Sequence, residues 1–68
     1  MERSDLIEII VEMELAQLKT LHEKGSTPKH KIDIGMTRAK LYNFADQYPL
    51  YREYIYQRIH NVEAGFET

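Results

Sequence analysis

The fold is decided by residues 6–21, which read LIEIIVEMELAQLKTL. Placed at about 100° per residue, as in an α-helix, the apolar side chains of this stretch form two arcs on the helix surface. The broad arc contains Ile7, Ile10, Val11, Leu15, Leu18 and Leu21. The second arc contains Leu6, Ile9, Met13 and Ala16. A surface helix needs an apolar stripe of little more than about 100°, so this helix has more apolar surface than one contact covers.

Signals for helix starts and stops frame this first helix and predict a second. Asp5 is placed to cap the first helix, because an acid follows three residues later as in a capping box. Gly25 favours the left-handed conformation that ends helices. Thr27 and Pro28 are typical of the cap and the first residue of the next helix.

The stretch that follows Pro28 fits two structures. Ile32 and Ile34 alternate with polar residues, which is typical of a short extended segment. A continuous helix from Pro28 also fits, although Gly35 weakens it by about 1 kcal/mol relative to alanine. We favour the continuous helix.

Two further helical stripes follow, separated by Pro49, which disfavours helical geometry in the residue before it. The first consists of Leu41, Phe44, Ala45 and Tyr48, and the second of Tyr51, Ile55, Ile59 and Val62. Gly65 is a natural stop for the third helix. We therefore expect one all-α domain over residues 1–68, either a three-helix bundle or a helical hairpin plus a third helix, and we expect it to self-associate.

Self-association is expected because the chain is short and has two apolar arcs to cover. A domain of about 60 residues buries only about 60% of the surface of its unfolded chain. The 68 residues include no cysteine, which excludes disulfides and thiolate zinc sites as stabilising devices. Three helices do not enclose a central one, so we predict a homodimer with an interface formed by Leu6, Ile9, Met13 and Ala16. The alternatives are a different protein partner, or a monomer with scattered exposed apolar residues.

Glu14 lies within the broad apolar arc and has two interpretations. A buried carboxylate is costly unless it is paired or hydrogen-bonded. It either fixes helix register by accepting a hydrogen bond from a tyrosine or an arginine, or it reaches to the edge of the bundle.

The sequence contains no pattern that indicates catalysis. The three histidines share no short metal-ligand spacing, and no glycine-rich phosphate loop is present. We expect no enzymatic activity, no cofactor and no metal. The longest apolar run, residues 9–11, is far below the ~20 residues of a membrane-spanning helix. We expect a cytoplasmic protein that does not contact a membrane.

The tyrosines and arginines of the third helix predict a protein-recognition surface, because both residue types are enriched at binding hot spots. The predicted partner-binding residues are Tyr54, Tyr56, Arg52 and Arg58. The function expected is that of a small interaction or regulatory protein acting as a homo-oligomer, such as an adaptor, an inhibitor or a phage-type accessory factor.

The alternative is a dimeric nucleic-acid-binding regulator of transcription or replication, which would use the basic segment 24–40 and the third helix. Basic residues among aromatics are typical of phosphate contact and base stacking. The predicted contacts are Lys29, Lys31, Arg38, Lys40 and Arg52. The net charge of −2 and a pI near 5.9 argue against this alternative. The same basic segment could instead face the acidic first helix.

Overall fold

The chain folds into three α-helices, which confirms the all-α prediction. The computed structural model describes residues 3–25 and 27–65, with side chains from Leu6 onward. Helix α1 spans Arg3–Lys24, α2 spans Pro28–Gln47 and α3 spans Arg52–Glu63. A 3-10 turn, Pro49–Tyr51, joins α2 to α3. The described residues contain no strand.

The predicted start of α1 is wrong, whereas its end is confirmed. The chain is already helical at Arg3, so Asp5 lies inside the first turn and is not the capping residue. Its side chain lies outside the described residues. α1 ends at Lys24, and Gly25 follows with a φ of 111°, a left-handed conformation that costs glycine little.

Helix α2 is continuous from Pro28, which settles the choice left open by Ile32 and Ile34. The Thr27 side chain accepts a hydrogen bond from the backbone N–H of His30 at 3.2 Å, and Pro28 occupies the first turn. Gly35 lies within the helix, and a side chain there would meet open space. The capped first turn and the packed later turns therefore outweigh the cost of one exposed glycine.

The break before the third helix falls at Tyr48, as the proline predicts. Tyr48 has φ −126° and ψ 77°, outside helical geometry, and its carbonyl accepts a hydrogen bond from the N–H of Tyr51 at 2.9 Å. Pro49 therefore opens the 3-10 turn, and α3 begins three residues later. At the other end, Gly65 has a φ of 80° and its N–H donates to the Val62 carbonyl at 3.2 Å.

The core lies where all three helices meet, and each helix contacts the other two. Its buried members are Ile7, Val11, Leu15, Leu18, Leu41, Ala45, Ile55, Ile59 and Val62. Ile34, Phe44, Tyr48, Tyr51 and Tyr54 pack against this core while staying partly exposed. The helix stripes predicted from the sequence therefore converge on one core.

Candidate functional site

The two apolar arcs of α1 have different environments. The broad arc contributes Ile7, Val11, Leu15, Leu18 and Leu21, all buried, and we call these residues the inner face. Ile10, which the sequence placed in the same arc, is 40% exposed. The prediction that Ile10 shares the buried arc is wrong, because α2 and α3 cover a narrower arc of α1 than the apolar pattern indicates.

The second arc, which we call the outer face, is left partly or largely exposed by the other helices that the structure describes. Leu6 is 48% exposed, Ile9 45% and Met13 67%, and Ala16 is also exposed. An exposed leucine alone is ordinary. Four apolar side chains in line on one helix form a continuous apolar strip, and such a strip is typical of a surface that meets another molecule.

The outer face has the spacing of a coiled-coil seam. Its four residues are separated by three, four and three positions, as the a and d residues of heptads are. The same spacing continues to Thr20 and Glu23, which are exposed and polar. The apolar part of the seam therefore covers the first two thirds of α1.

An open groove runs along one side of the outer face, between α1 and α3. It is lined by Glu8, Ile9, Glu12, Met13, Ala16 and Tyr54. Its lining combines three apolar side chains of the outer face with two carboxylates and a tyrosine.

A polar cluster of Glu12, Tyr54 and Arg58, which we call the Glu12 cluster, ties α1 to α3 beside the groove. The Tyr54 hydroxyl donates to Oε1 of Glu12. The Arg58 guanidinium donates to both carboxylate oxygens, through Nη1 to Oε1 and through Nη2 to Oε2 at 3.0 Å. Arg58 Nη1 also lies 3.1 Å from the Tyr54 hydroxyl oxygen. Bidentate pairing of this kind fixes both side chains in one orientation.

The cluster shifts the protonation of two of its members. Partial burial alone raises the pKa of the Glu12 carboxyl, but the hydrogen bonds from Arg58 and Tyr54 outweigh it and hold the pKa below its usual value. Burial, followed by the hydrogen bond and charge of Glu12, raises the pKa of Tyr54 to about 12. Glu12 is therefore ionised and Tyr54 neutral near neutral pH.

The sequence left two interpretations for Glu14, a hydrogen bond from a tyrosine or an arginine, or a position at the edge of the bundle. In the structure Glu12 is the carboxylate that accepts from a tyrosine and an arginine. Glu14 is half-buried at the border of the inner face. Glu12 lies on the side of α1 that faces α3, where Tyr54 and Arg58 project. Sequence periodicity indicates which side chains share a face, but it does not say which helix lies beside each flank.

A second polar cluster, of His22, Arg38 and Glu63, joins the last turns of α1 and α3 to the middle of α2, and we call it the Glu63 cluster. Arg38 Nε lies 3.1 Å from each Glu63 carboxylate oxygen, and Nη2 donates to Oε2. His22 Nε2 lies 3.0 Å from the same Oε2. Burial raises the pKa of Glu63, but the hydrogen bonds from Arg38 and His22 lower it by more than burial raises it. The pKa of Glu63 therefore lies below its usual value.

The predicted partner-binding residues are placed on two different flanks of α3. Tyr54 and Arg58 are half-buried and belong to the Glu12 cluster, whereas Tyr56 and Arg52 are exposed. Tyr54 and Tyr56 are two residues apart, which separates them by about 200° around a helix. The four residues therefore do not form one surface, and their role in partner binding stays a prediction.

Tyr56 pairs with Tyr42 of α2 on the flank away from α1. The two rings meet edge to face, with centroids 5.6 Å apart and an interplanar angle of 68°. Both tyrosines are about two-fifths exposed, at 41% for Tyr42 and 42% for Tyr56. The sequence pointed to Tyr56 but not to this pairing, because it does not specify which residues of α2 and α3 are opposite each other.

The basic residues of the nucleic-acid alternative also divide between two flanks. Lys29 and Lys40, eleven residues apart, share one side of α2, and Lys31 and Arg38, seven apart, share a side about 180° away. Arg38 is engaged with Glu63, while the three lysines and Arg52 are exposed. The set does not form a continuous basic patch, and nucleic-acid binding stays a prediction.

A shorter apolar strip lies on the outer side of α2. Ile32 is 64% exposed and Met36 57%. They are four residues apart and therefore adjacent on the helix surface. This strip has two large apolar side chains, whereas the outer face of α1 has three, so it is the smaller of these two surfaces.

Neither a metal centre nor a membrane span is found in the part of the chain that the structure describes. Over residues 6–25 and 27–65, no three His, Asp or Glu side chains are grouped so that they could hold a metal ion. Within the described helices, no segment is both long and apolar enough to cross a membrane. No protein-family model, no curated protein and no solved structure matches the chain.

Proposed function

We propose that the protein is a small, non-enzymatic interaction or regulatory protein that acts as a homo-oligomer, with the outer face of α1 as its self-association surface. The observation that supports this proposal is the line of Leu6, Ile9, Met13 and Ala16, which the chain's own helices leave exposed. A homodimer is the simplest assembly, since one surface that pairs with itself closes after two copies.

The chemistry of the outer face fits an apolar helix as its occupant. The four seam positions have no charged side chain, so transfer of this strip from water is favourable and requires no ion pairing. Fully burying a leucine, isoleucine or methionine contributes roughly 1.5–3 kcal/mol. The same chain supplies a helix with this pattern at equal concentration, which makes a second copy the first occupant to consider.

Molar mass in solution tests this proposal. We expect the mass to rise from the 8.1 kDa of one chain towards twice that value as concentration increases. Light scattering from about 1 μM to about 1 mM spans binding free energies of roughly −8 to −4 kcal/mol. A wild-type mass of one chain throughout this range would refute self-association.

Two variants locate the surface. Met13→Glu places a charge in the seam and is expected to yield a folded monomer, since Met13 is already 67% exposed in the single chain. Asn43→Glu, an exposed position on α2, adds the same charge elsewhere and should leave the dimer intact. A dimer that survives Met13→Glu would place the interface elsewhere, and the Ile32 and Met36 strip would be tested next.

For recognition of a different protein, we propose the exposed flank formed by Tyr42, Tyr56 and Arg52. Tyrosine and arginine contribute disproportionately to binding energy. This flank lies away from α1, so dimerisation leaves it accessible. The rate at which a tyrosine-modifying reagent reacts with Tyr42 and with Tyr56 should therefore be the same in the monomer, at low protein concentration, as in the dimer, at high concentration. Tyr54, in contrast, should react more slowly in the dimer. Protection of Tyr56 on dimerisation would remove this surface from consideration.

A further inference from the structure

We propose that the two α1 helices of the dimer pair antiparallel, about a twofold axis that passes midway between Ile9 and Met13. This inference rests on the proposed self-association and specifies its geometry. In this arrangement Leu6 of one copy packs beside Ala16 of the other, and Ile9 packs beside Met13.

The spacing of the outer face supports the antiparallel register. The intervals of three, four and three residues read the same in both directions. A twofold rotation about the midpoint therefore superposes the seam of one copy on that of the other, so an antiparallel pair satisfies the symmetry of an isologous interface, as a parallel pair also does. In this register, both residues of each of the four facing seam pairs are apolar.

The polar end of the seam argues against a parallel pair. Glu23 continues the heptad spacing beyond Ala16 and Thr20. In a parallel in-register pair the two Glu23 carboxylates would meet at one seam position, and like charges in contact are destabilising. An antiparallel pair places them at opposite ends of the assembly, far beyond a Debye length of about 8 Å at physiological salt.

The two flanks of the seam are compatible with this pairing. On one flank the exposed Ile10 side chains of the two copies come together, which provides the cover that Ile10 lacks within the single chain. On the other flank the two Glu12 side chains approach each other. Each Glu12 is already paired with Arg58 and hydrogen-bonded by Tyr54, so that two neutral ion pairs meet there and not two free carboxylates.

Disulfide cross-linking tests the register, because the chain has no cysteine of its own. A disulfide requires Cα atoms within roughly 7 Å. In the antiparallel pair, residue 6 lies next to residue 16 of the other copy, while the two residues 6 are separated by ten residues of helix, about 15 Å. Leu6→Cys and Ala16→Cys are therefore oxidised separately and as an equimolar mixture, and the products are identified by mass.

We expect a mixed Leu6→Cys and Ala16→Cys disulfide in the mixture, and loss of cross-linking when either variant is oxidised alone. Cross-linking of each variant with itself would show a parallel pair and overturn the inference. Absence of any cross-link in variants that still have the mass of a dimer would show a different register and also overturn it. A mass of one chain before oxidation, in wild type as well as in the variants, would instead refute the proposed self-association.

Discussion

The inner and outer faces of α1 are built from similar residues but have opposite environments. Ile7 is 7% exposed on the inner face, and Ile9, two residues later, is 45% exposed on the outer face. Leu15 and Leu18 are completely or almost completely buried, whereas Leu6 is half-exposed. The difference lies in the neighbours of each face, since α2 and α3 both pack on the inner side.

This difference shows how the number of helices limits what a small bundle covers. Each of three mutually packed helices lies at the perimeter and turns one side to the solvent. A sequence that places apolar residues on that side too is apolar beyond the needs of its own core. This excess is the basis of the proposed self-association, and the two faces can be tested against each other.

The largest expected effect comes from a matched pair of substitutions on the two faces. Ile7→Ala creates a cavity in the core and should lower the free energy of unfolding by roughly 2–5 kcal/mol at any protein concentration. Ile9→Ala should cost less than about 0.5 kcal/mol in the monomer, because little packing is lost at an exposed position. Urea denaturation at low and high protein concentration measures both values.

Concentration dependence separates the two variants further. Ile9→Ala should reduce the rise in stability that the wild type gains at high concentration, because dimerisation stabilises the folded chain by mass action. Equal destabilisation by Ile7→Ala and Ile9→Ala in dilute solution would mean that the chain's own residues cover the outer face, and the contrast would fail.

The sequence was sufficient to separate these two faces but not to set their limits. A 3.6-residue period identifies which residues share a side, and it correctly placed Ile7, Val11 and Leu15 together. It also grouped Ile10 with them, although Ile10 is 40% exposed. The width of the buried arc depends on how α2 and α3 are placed against α1, and that is a tertiary property.

The polar clusters were harder to predict for the same reason. Thr27 and Pro28 act within one turn, so local chemistry identified the start of α2. Glu12 and Arg58 are 46 residues apart in sequence, and their contact depends on the packing of α1 against α3. Among the candidate site residues, the sequence identified the outer face as a group, because its members follow the helical period on one side of α1.

An intermediate effect is expected at the Glu63 cluster, which closes one end of the inner face. Glu63→Gln removes the counter-charge of Arg38 and changes the group that His22 contacts, and should cost about 1 kcal/mol, since these side chains are partly exposed. The folded-state pKa of Glu63 lies below the 4.5 of an unperturbed glutamate. Its contribution to stability is therefore complete above about pH 4.5 and is lost as pH falls through the folded-state pKa.

The pH dependence gives this prediction its control. The difference in urea midpoint between wild type and Glu63→Gln should shrink as pH falls below about 4.5 and through the lowered folded-state pKa of Glu63, below which both proteins lack the charge. Glu53→Gln, an exposed position on the same helix, should change the midpoint little at either pH. A difference that persists unchanged at acid pH would assign the effect to packing and not to the ion pairs.

The smallest expected effect lies at Tyr54 of α3, which packs beside α1 next to the outer face. Tyr54→Phe keeps the ring but removes the hydroxyl that donates to Glu12, and should cost about 0.5 kcal/mol, the low end of the range for a hydrogen bond, because the Glu12 side chain is partly exposed. Because the folded-state pKa of Tyr54 is raised from 10.0 to about 12, its contribution is complete below pH 10 and is lost as pH rises towards 12. Urea midpoints between neutrality and this alkaline range measure the loss, with Tyr56→Phe as the matched control.

Tyr54 also lines the groove beside the outer face, so a dimer that covers the groove should make the cost of Tyr54→Phe larger at high protein concentration. A cost independent of concentration would mean that the partner helix does not reach Tyr54, and the outer face would then be narrower than its apolar pattern indicates.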